Sequence, residues 1–475
     1  MEKYFQYIKD SKLGKVTLAI LGLICIMATY CFIQLNVYIP TMFLVIGIVV
    51  FLVIVGLLWL AHYKKPKLAI VIELIVCGCL IFGVFATQKV IGFVNKVTEG
   101  KEVETVAIVA LKDSTITKDQ DFKKLNLAYV KDDENAYKRS AEILKDNNKT
   151  VSKEVSYENM KKAYEDLKNK KVDLLVLTNL GKSDLSEIDE NYNANIKVIL
   201  SKDYVLEAVK TKKVDISKEP FTVYFQGADL SSGDNINSVG RGDVNILLTV
   251  NPETKKVNMQ VVPRDLFVYI PAKNASSKLS YSGWWGGIQS SIASIEKALD
   301  IEINYYAKIN FTGLTDLVDA LGGVKVYSHY TYSADGYNFT KGINEVNGEK
   351  ALTFARARKM LPLNERSRGY QQMELIKGIF AKFAQEPSYN HAMSVIDSLE
   401  NNFTTNFPKE DFMKAYELVV DLLPKLQTME NHSIDGEYKW HNDEVQKANY
   451  LYYFYPSDGE LKAVKERIDN VLNGK

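Results

Sequence analysis

Three long apolar runs open the chain, and none of comparable length follows them. Val16–Leu35, Tyr38–Ala61 and Leu68–Gln88 each reach the ~20 residues that a helix needs to cross a bilayer. Beyond Lys89 the pattern changes to short apolar strands and amphipathic helices set between polar turns. Val106–Leu111, Leu125–Val130, Val172–Asn179 and Ile196–Leu200 read as strands. AYKRSAEILKD and YENMKKAYEDLKNKK read as helices between them. That alternation predicts a small parallel-type α/β domain over 98–218. From Phe221 the character shifts again. FTVYFQG, Val244–Val250 and Val257–Val262 alternate like strands, the last two joined by the turn NPETKK. SSIASIEKAL and FTGLTDLVDALGG have helical spacing, the second closed by Gly322-Gly323, and further helices are expected near Tyr370–Phe383 and Lys409–Leu423. The pattern divides the chain into a membrane region (1–97), an accessory α/β domain (98–218), a larger α/β domain (219–426) and a C-terminal extension (427–475) with weak periodicity.

Lysines orient the first region. Lys3, Lys9, Lys12 and Lys15 precede the first run, and Lys64, Lys65 and Lys67 separate the second from the third, whereas Gln34–Val37 holds no basic residue. Positive charge stays cytoplasmic, so the N-terminus is expected inside and everything after the third span outside, as in a multi-pass protein of the cell membrane. A cleaved signal peptide fits poorly, because the first run is too long and two more follow it. Glu73 lies in the first turns of its span and is expected to snorkel to the interface. Cys25, Cys31, Cys77 and Cys79 all fall in the apolar runs, so the external part is expected to fold without disulfides. The formal net charge of +1 carries no basic excess for nucleic acid. The five histidines are scattered without zinc-ligand spacing. No Gly-x-Ser-x-Gly elbow is present. Gly181-Lys182-Ser183 resembles a P-loop tail, but Val176 stands where its first glycine belongs.

Chemistry gathers in the larger domain. VVPRDLFVYIP places Arg264-Asp265 between two apolar runs. Arg241-Gly242-Asp243 opens the strand that pairs with the one ending before Arg264, so these charges fall at the same end of one hairpin. Asp229 ends FTVYFQGAD, and Arg356-Ala357-Arg358 follows EKALTF, with Arg366 and Arg368 shortly after. Each Arg–Asp pair alone reads as a surface salt bridge of little energetic weight. Several together suit a phosphate or pyrophosphate with a divalent cation. Guanidinium grips phosphate oxygens with a bidentate fork, and magnesium takes one or two carboxylates plus phosphate oxygens.

GAD…VGRGDVNILLTVNPETKKVNMQVVPRDLFV, SKLSYSGWWGG, INYYAKINFTGLTDLVDALGGVKV and GEKALTFARARK…ERSRGYQQMELI, between Phe221 and Leu423, resemble the LytR-CpsA-Psr family, in particular its capsule-type branch. The resemblance implies an α/β/α sandwich with a long apolar lipid-binding pocket. It implies a membrane-anchored phosphotransferase that moves a capsular or teichoic-acid-like glycan from a polyprenyl (undecaprenyl) pyrophosphate carrier to peptidoglycan. A lipid-pyrophosphate hydrolase and a non-catalytic lipid-binding regulator working with capsule-assembly proteins are the alternatives. By the same resemblance Asp229 and Asp243 match carboxylates for Mg2+, or for Mn2+ in its place. Arg241, Arg264, Arg356, Arg358 and Gln372 match pyrophosphate-binding positions. Lys278 matches the pocket rim, Glu365 a group that would activate the acceptor hydroxyl, and Asp265 a positional residue. Arg366 and Arg368 are assigned to the same anion, although Ser367 and Tyr370 stand where the family often has arginines. Trp284-Trp285 replaces a smaller pair.

Overall fold

The computed structural model describes residues 12–35, 41–64, 66–98, 100–131, 133–230, 234–385, 389–443, 445 and 450–475. The chain divides into two compact units, Met1–Thr98 with Phe407–Glu417, and Glu99–Asn406 with Leu418–Lys475. In the first, helices α1 (Lys12–Leu35), α2 (Thr41–Lys64) and α3 (Pro66–Thr98) fall on the three apolar runs. By length and composition Ile70–Thr98 can cross a membrane, while the described apolar stretches of α1 and α2 are shorter, Ala19–Leu35 and Val45–Leu58. Ile26, Leu52 and Phe85 are 69%, 61% and 68% exposed, the kind of apolar surface that water does not favour. Glu73 does not snorkel: it is fully buried, because a carboxylate in an apolar helix is costlier facing hydrocarbon than turned inward.

The second unit opens with a five-stranded sheet made of β1 (Val103–Leu111), β2 (Asn126–Val130), β3 (Lys153–Tyr157), β4 (Leu174–Thr178) and β5 (Ile196–Val205), in the order β3-β2-β4-β1-β5. Helices α4 (Glu134–Asp146), α5 (Met160–Lys168) and α6 (Asn179–Ile188) connect it. The β2 and β4 strands run parallel as expected and β3, which the sequence pattern did not mark, joins them, but β1 pairs antiparallel with both β4 and β5, so the sheet is mixed. Alternation along β1 explains its two-sided burial. Val106 and Ile108 join one core with Ile143 of α4, and Ala107 and Val109 join another with Ala163 of α5 and Leu185 of α6.

A six-stranded sheet follows, built from β6 (Phe221–Asp229), β7 (Arg241–Asn251), β8 (Lys256–Val261), β11 (Tyr305–Asn310), β16 (Phe403–Thr405) and β17 (His432–Ser433), in the order β16-β11-β6-β7-β8-β17. Outside it lie the small pairs β9 (Phe267–Ile270) with β10 (Ala275–Lys278), β12 (Val324–Ser328) with β15 (Gly342–Val346), and β13 (Tyr332–Ala334) with β14 (Tyr337–Phe339). On one face Tyr224, Leu247 and Tyr306 pack with Ile292 and Ile295 of α7 (Gly287–Leu299). Val464 and Ile468 of the C-terminal helix, Glu460–Leu472, complete that core. On the other face lie α8 (Phe311–Ala320), α9 (Gly348–Arg356) and α10 (Glu365–Gln385), with a core of Val318, Leu321, Ala351, Phe354 and Leu375. Gly369 is required in α10, because a Cβ there would stand 2.9 Å from the Val261 side chain of β8. Helices thus cover both faces of a mixed sheet, with Phe225 and Phe380 meeting edge-on at 6.2 Å between β6 and α10.

Candidate functional site

A bulge sets the first contact. Gly227 pairs with Val244, but Ala228 pairs with Gly242 and Asp229 with Arg241, leaving Asp243 as the extra residue. Without the shift Asp229 would face Gly242, and Arg241 would project from the opposite face, because side chains alternate along a strand. The bulge therefore brings Arg241 beside Asp229. A Cβ at Gly242 would meet Gln226 Nε2 at 2.8 Å, so any side chain there would have to displace the buried Gln226 amide.

From this point an ion-pair chain crosses the end of the sheet. Arg241 Nη2 donates to Asp229 Oδ2 at 2.5 Å, and its Nε faces Asp243 Oδ1 at 3.0 Å. Arg264 Nη1 donates to Asp243 Oδ2 at 2.6 Å, and its Nε lies 3.9 Å from Asp265 Oδ1. Asp265 also faces Lys278 Nζ at 3.2 Å and Arg358 Nη2 at 3.5 Å. Arg358 Nε reaches Glu365 Oε2 at 3.2 Å, and Arg368 Nη2 binds Glu365 Oε1. Four carboxylates and four guanidiniums alternate from Asp229 to Arg368, and Lys278 branches from Asp265. The turn that carries Arg264 is pinned by its neighbours: Leu266 N donates to Pro263 O, Ser280 N to Arg264 O and Phe454 N to Asp265 O. Glu365 sits in the first turn of α10, where the helix dipole favours a carboxylate.

Burial makes these charges interact strongly. Desolvation works against the Arg241 cation, but Asp243, Asp229 and Glu187 outweigh it and raise its pKa. Burial also opposes ionisation of Asp265, yet Lys278, Arg264 and Arg358 hold its carboxyl below the ordinary value. Arg264 Nε, Arg368 Nε, Arg241 Nε, Asp243 Oδ1 and Glu365 Oε2 are buried and make no hydrogen bond; Arg241 Nε and Glu365 Oε2 are held by ion pairs alone. The buried Nε donors of Arg264 and Arg368 are the ones that a polyanion with many oxygens would satisfy.

The structure brings together Asp229, Arg241, Asp243, Arg264, Asp265, Lys278, Arg358, Glu365 and Arg368. It places three other expected residues outside the chain. Arg356 is exposed with its guanidinium 5.2 Å from the Phe311 ring. Arg366 donates to Tyr370 and pairs with Asp435. Gln372 donates to Ala355 O at 3.2 Å, tying α10 to the end of α9. Both oxygens of Glu365 are engaged, so a hydroxyl would have to displace a guanidinium to reach it. Trp284 is buried beneath Arg241, 5.8 Å from it, and stacks on Tyr281 at 4.9 Å; it packs against the site.

Two further groups carry no sequence signal, because they come from other segments. Glu187 of α6 lies 3.3 Å from Arg241 Nη1. Tyr438, in the strand Gly436–Asn442, has the Arg358 guanidinium 5.7 Å from its ring. For a divalent cation, the chain offers Asp229 and Asp243 on one guanidinium, with Asp243 Oδ1 accepting no hydrogen bond. Among the described residues no group of three or more His, Cys, Asp or Glu is placed to hold a metal ion. Asp229 and Asp243 are as many carboxylates as Mg2+ takes from a protein when phosphate oxygens complete its shell, and they do not form an all-protein cage.

A model of the LytR_cpsA_psr family matches residues 188–470. The polyisoprenyl-teichoic acid–peptidoglycan teichoic acid transferase TagU of Bacillus subtilis (strain 168) is 31% identical over 264 residues, 55% of this chain and 82% of that protein. The protein of the same name from Enterococcus faecalis is 30% identical over 275 residues, 57% of this chain and 86% of that one. Among solved structures, that of B. subtilis TagU covers 54% of this chain and 97% of its own at 28% identity, with a TM-score of 0.43.

Proposed function

The chain belongs to the LytR-CpsA-Psr family, and from that premise we propose that it transfers a wall glycopolymer from a polyprenyl-pyrophosphate carrier to peptidoglycan. The observation that carries this reading is the ion-pair chain from Asp229 to Arg368. It is a row of four guanidiniums, three partly buried and Arg368 fully so, and its residues come from six separate segments. The relatives' names favour a glycan of the teichoic-acid type; a capsular polysaccharide would present the same diphosphate. The partly buried apolar side chains Phe225, Val244, Ile309, Ile376 and Phe380 lie on β6, β7, β11 and α10 and favour a slot for the prenyl chain. The lysine distribution supports three spans, a cytoplasmic N-terminus and an external second unit.

In this reading Arg264, Arg358 and Arg368 exchange carboxylate contacts for phosphate oxygens, and Lys278 neutralises charge at the rim. Asp229 and Asp243 would hold Mg2+, which would neutralise and polarise the diphosphate. The acceptor hydroxyl oxygen bonds to the sugar-linked phosphorus as that phosphorus parts from the bridging oxygen. Polyprenyl phosphate leaves with the bridging oxygen, and the hydroxyl proton passes to water or a basic group. Arg358 and Arg368 hold Glu365, which makes it a positioning residue for them. The test is the full chain in detergent with a lipid-pyrophosphate-linked glycan, Mg2+ and a peptidoglycan oligomer. Polyprenyl monophosphate and glycan-bearing oligomer are expected, with Arg264→Ala slowing their formation about 100-fold. Release that is indifferent to the oligomer would replace transfer with hydrolysis, and no release from wild type would remove both.

A further inference from the structure

Arg241 is saturated. Each of its three guanidinium nitrogens meets a different carboxylate: Nη2 meets Asp229, Nε meets Asp243, and Nη1 meets Glu187. The first two carboxylates are 30% and 14% exposed, and belong to the sheet end itself. The third is 68% exposed, and belongs to the accessory domain. Its position there is built. Thr178 Oγ1 accepts from Gly181 N and starts α6. Three residues of α6 then turn toward the segment before and at the start of β7. Lys182 Nζ pairs with Asp234 at 2.6 Å, Asn179 Nδ2 donates to Asp234 at 2.9 Å, and Glu187 meets Arg241 at 3.3 Å. The Asp234 side chain is only 6% exposed, so the two anchors near the helix start are buried while the contact near its end is open to water.

We propose that Glu187 of the accessory domain is a residue of the pyrophosphate site: its carboxylate occupies the outer edge of the Arg241 guanidinium and is exchanged there for a phosphate oxygen of the substrate. This rests on the function proposed above. The geometry selects Glu187 for the exchange. It is the longest of the three contacts and the most exposed, and an exposed pair is the weakest kind. Asp229 and Asp243 remain on the guanidinium or turn to a cation, whereas among the described residues Glu187 forms its ion pair with Arg241 alone. A carboxylate and a phosphate group each present anionic oxygens to a guanidinium fork, so they compete for it. The accessory domain thereby sets the affinity of the anion site.

The experiment uses the full chain in detergent, with geranyl pyrophosphate and MgCl2 as the probe, read by titration calorimetry. Glu187→Gln is expected to tighten binding about threefold, the scale of an exposed charge pair, and to lower KM by a similar factor with kcat little changed. Glu190→Gln removes an exposed carboxylate elsewhere on the same domain and is the control for net charge, expected to leave affinity as it was. A thermal melt of each variant checks folding. Equal or weaker binding by Glu187→Gln overturns the proposal, as does equal tightening by Glu190→Gln. A wild-type chain that binds no pyrophosphate at all removes the proposed function itself, a different result from a variant that matches a binding wild type.

Discussion

Burial pushes the Asp184 carboxyl up to about 7, with Glu187 and Asp133 adding to the rise and Arg241 opposing it. The folded protein therefore holds a proton that the unfolded chain has lost above the ordinary value of 3.8. Its contribution to stability is full below that value and is lost as pH rises through about 7. Asp184→Asn keeps the shape and cannot ionise. It should melt above wild type by about 2 °C or more at pH 8, with the gap closing toward pH 4. A gap that does not change across that range would rule out a buried titrating carboxyl. Asp265 behaves in the opposite sense: its lowered pKa supports the fold above 3.8 and gives way only in acid. The difference between the two is the count of cations within reach, which adjacency in sequence does not show.

Single contacts also join elements. Glu102 precedes β1 and is buried. Its carboxylate binds Lys308 of β11 and accepts from Ile288 N in the first turn of α7. Lys308, 1% exposed, also donates to Ser238 O at 2.9 Å. Glu102→Ala would leave that ammonium buried without its carboxylate, a loss of about 3–5 kcal/mol, measurable by urea unfolding. A loss of only a few tenths would mean that the pair is worth no more than a surface bridge. Gly369 is the converse case. In sequence it is a helix-weakening glycine; in the fold it is where α10 touches β8, which sets the height of Glu365 and Arg368 above the sheet. Strands β6, β7 and β8 and helix α8 were legible, because their alternation and stop signals are local. The bulge at Asp243 was not, because register depends on the partner strand.

Across the whole second unit, the segment after 426 proved to be structural. Val464 and Ile468 are fully buried in the core with Leu247 and Ile292, and Asn251 Nδ2 donates to Val471 O at 3.1 Å. Ile468→Ala should cost about 2–5 kcal/mol, seen as a lower melting temperature; an unchanged melt would show that the helix is not part of that core. The sequence alone was enough to locate the apolar runs, the α/β alternation, the family and the residues Asp229, Arg241, Asp243, Arg264 and Arg358, since periodicity, composition and motif wording are written along the chain. Only the tertiary structure decided which charges meet. It drew Glu187 in from the accessory domain, left Arg366 with Asp435, and turned a weakly patterned tail into core. The reason is that an ion pair requires side chains to come within about 4 Å, and closure over hundreds of residues is settled by packing and strand register, which no short stretch of sequence contains.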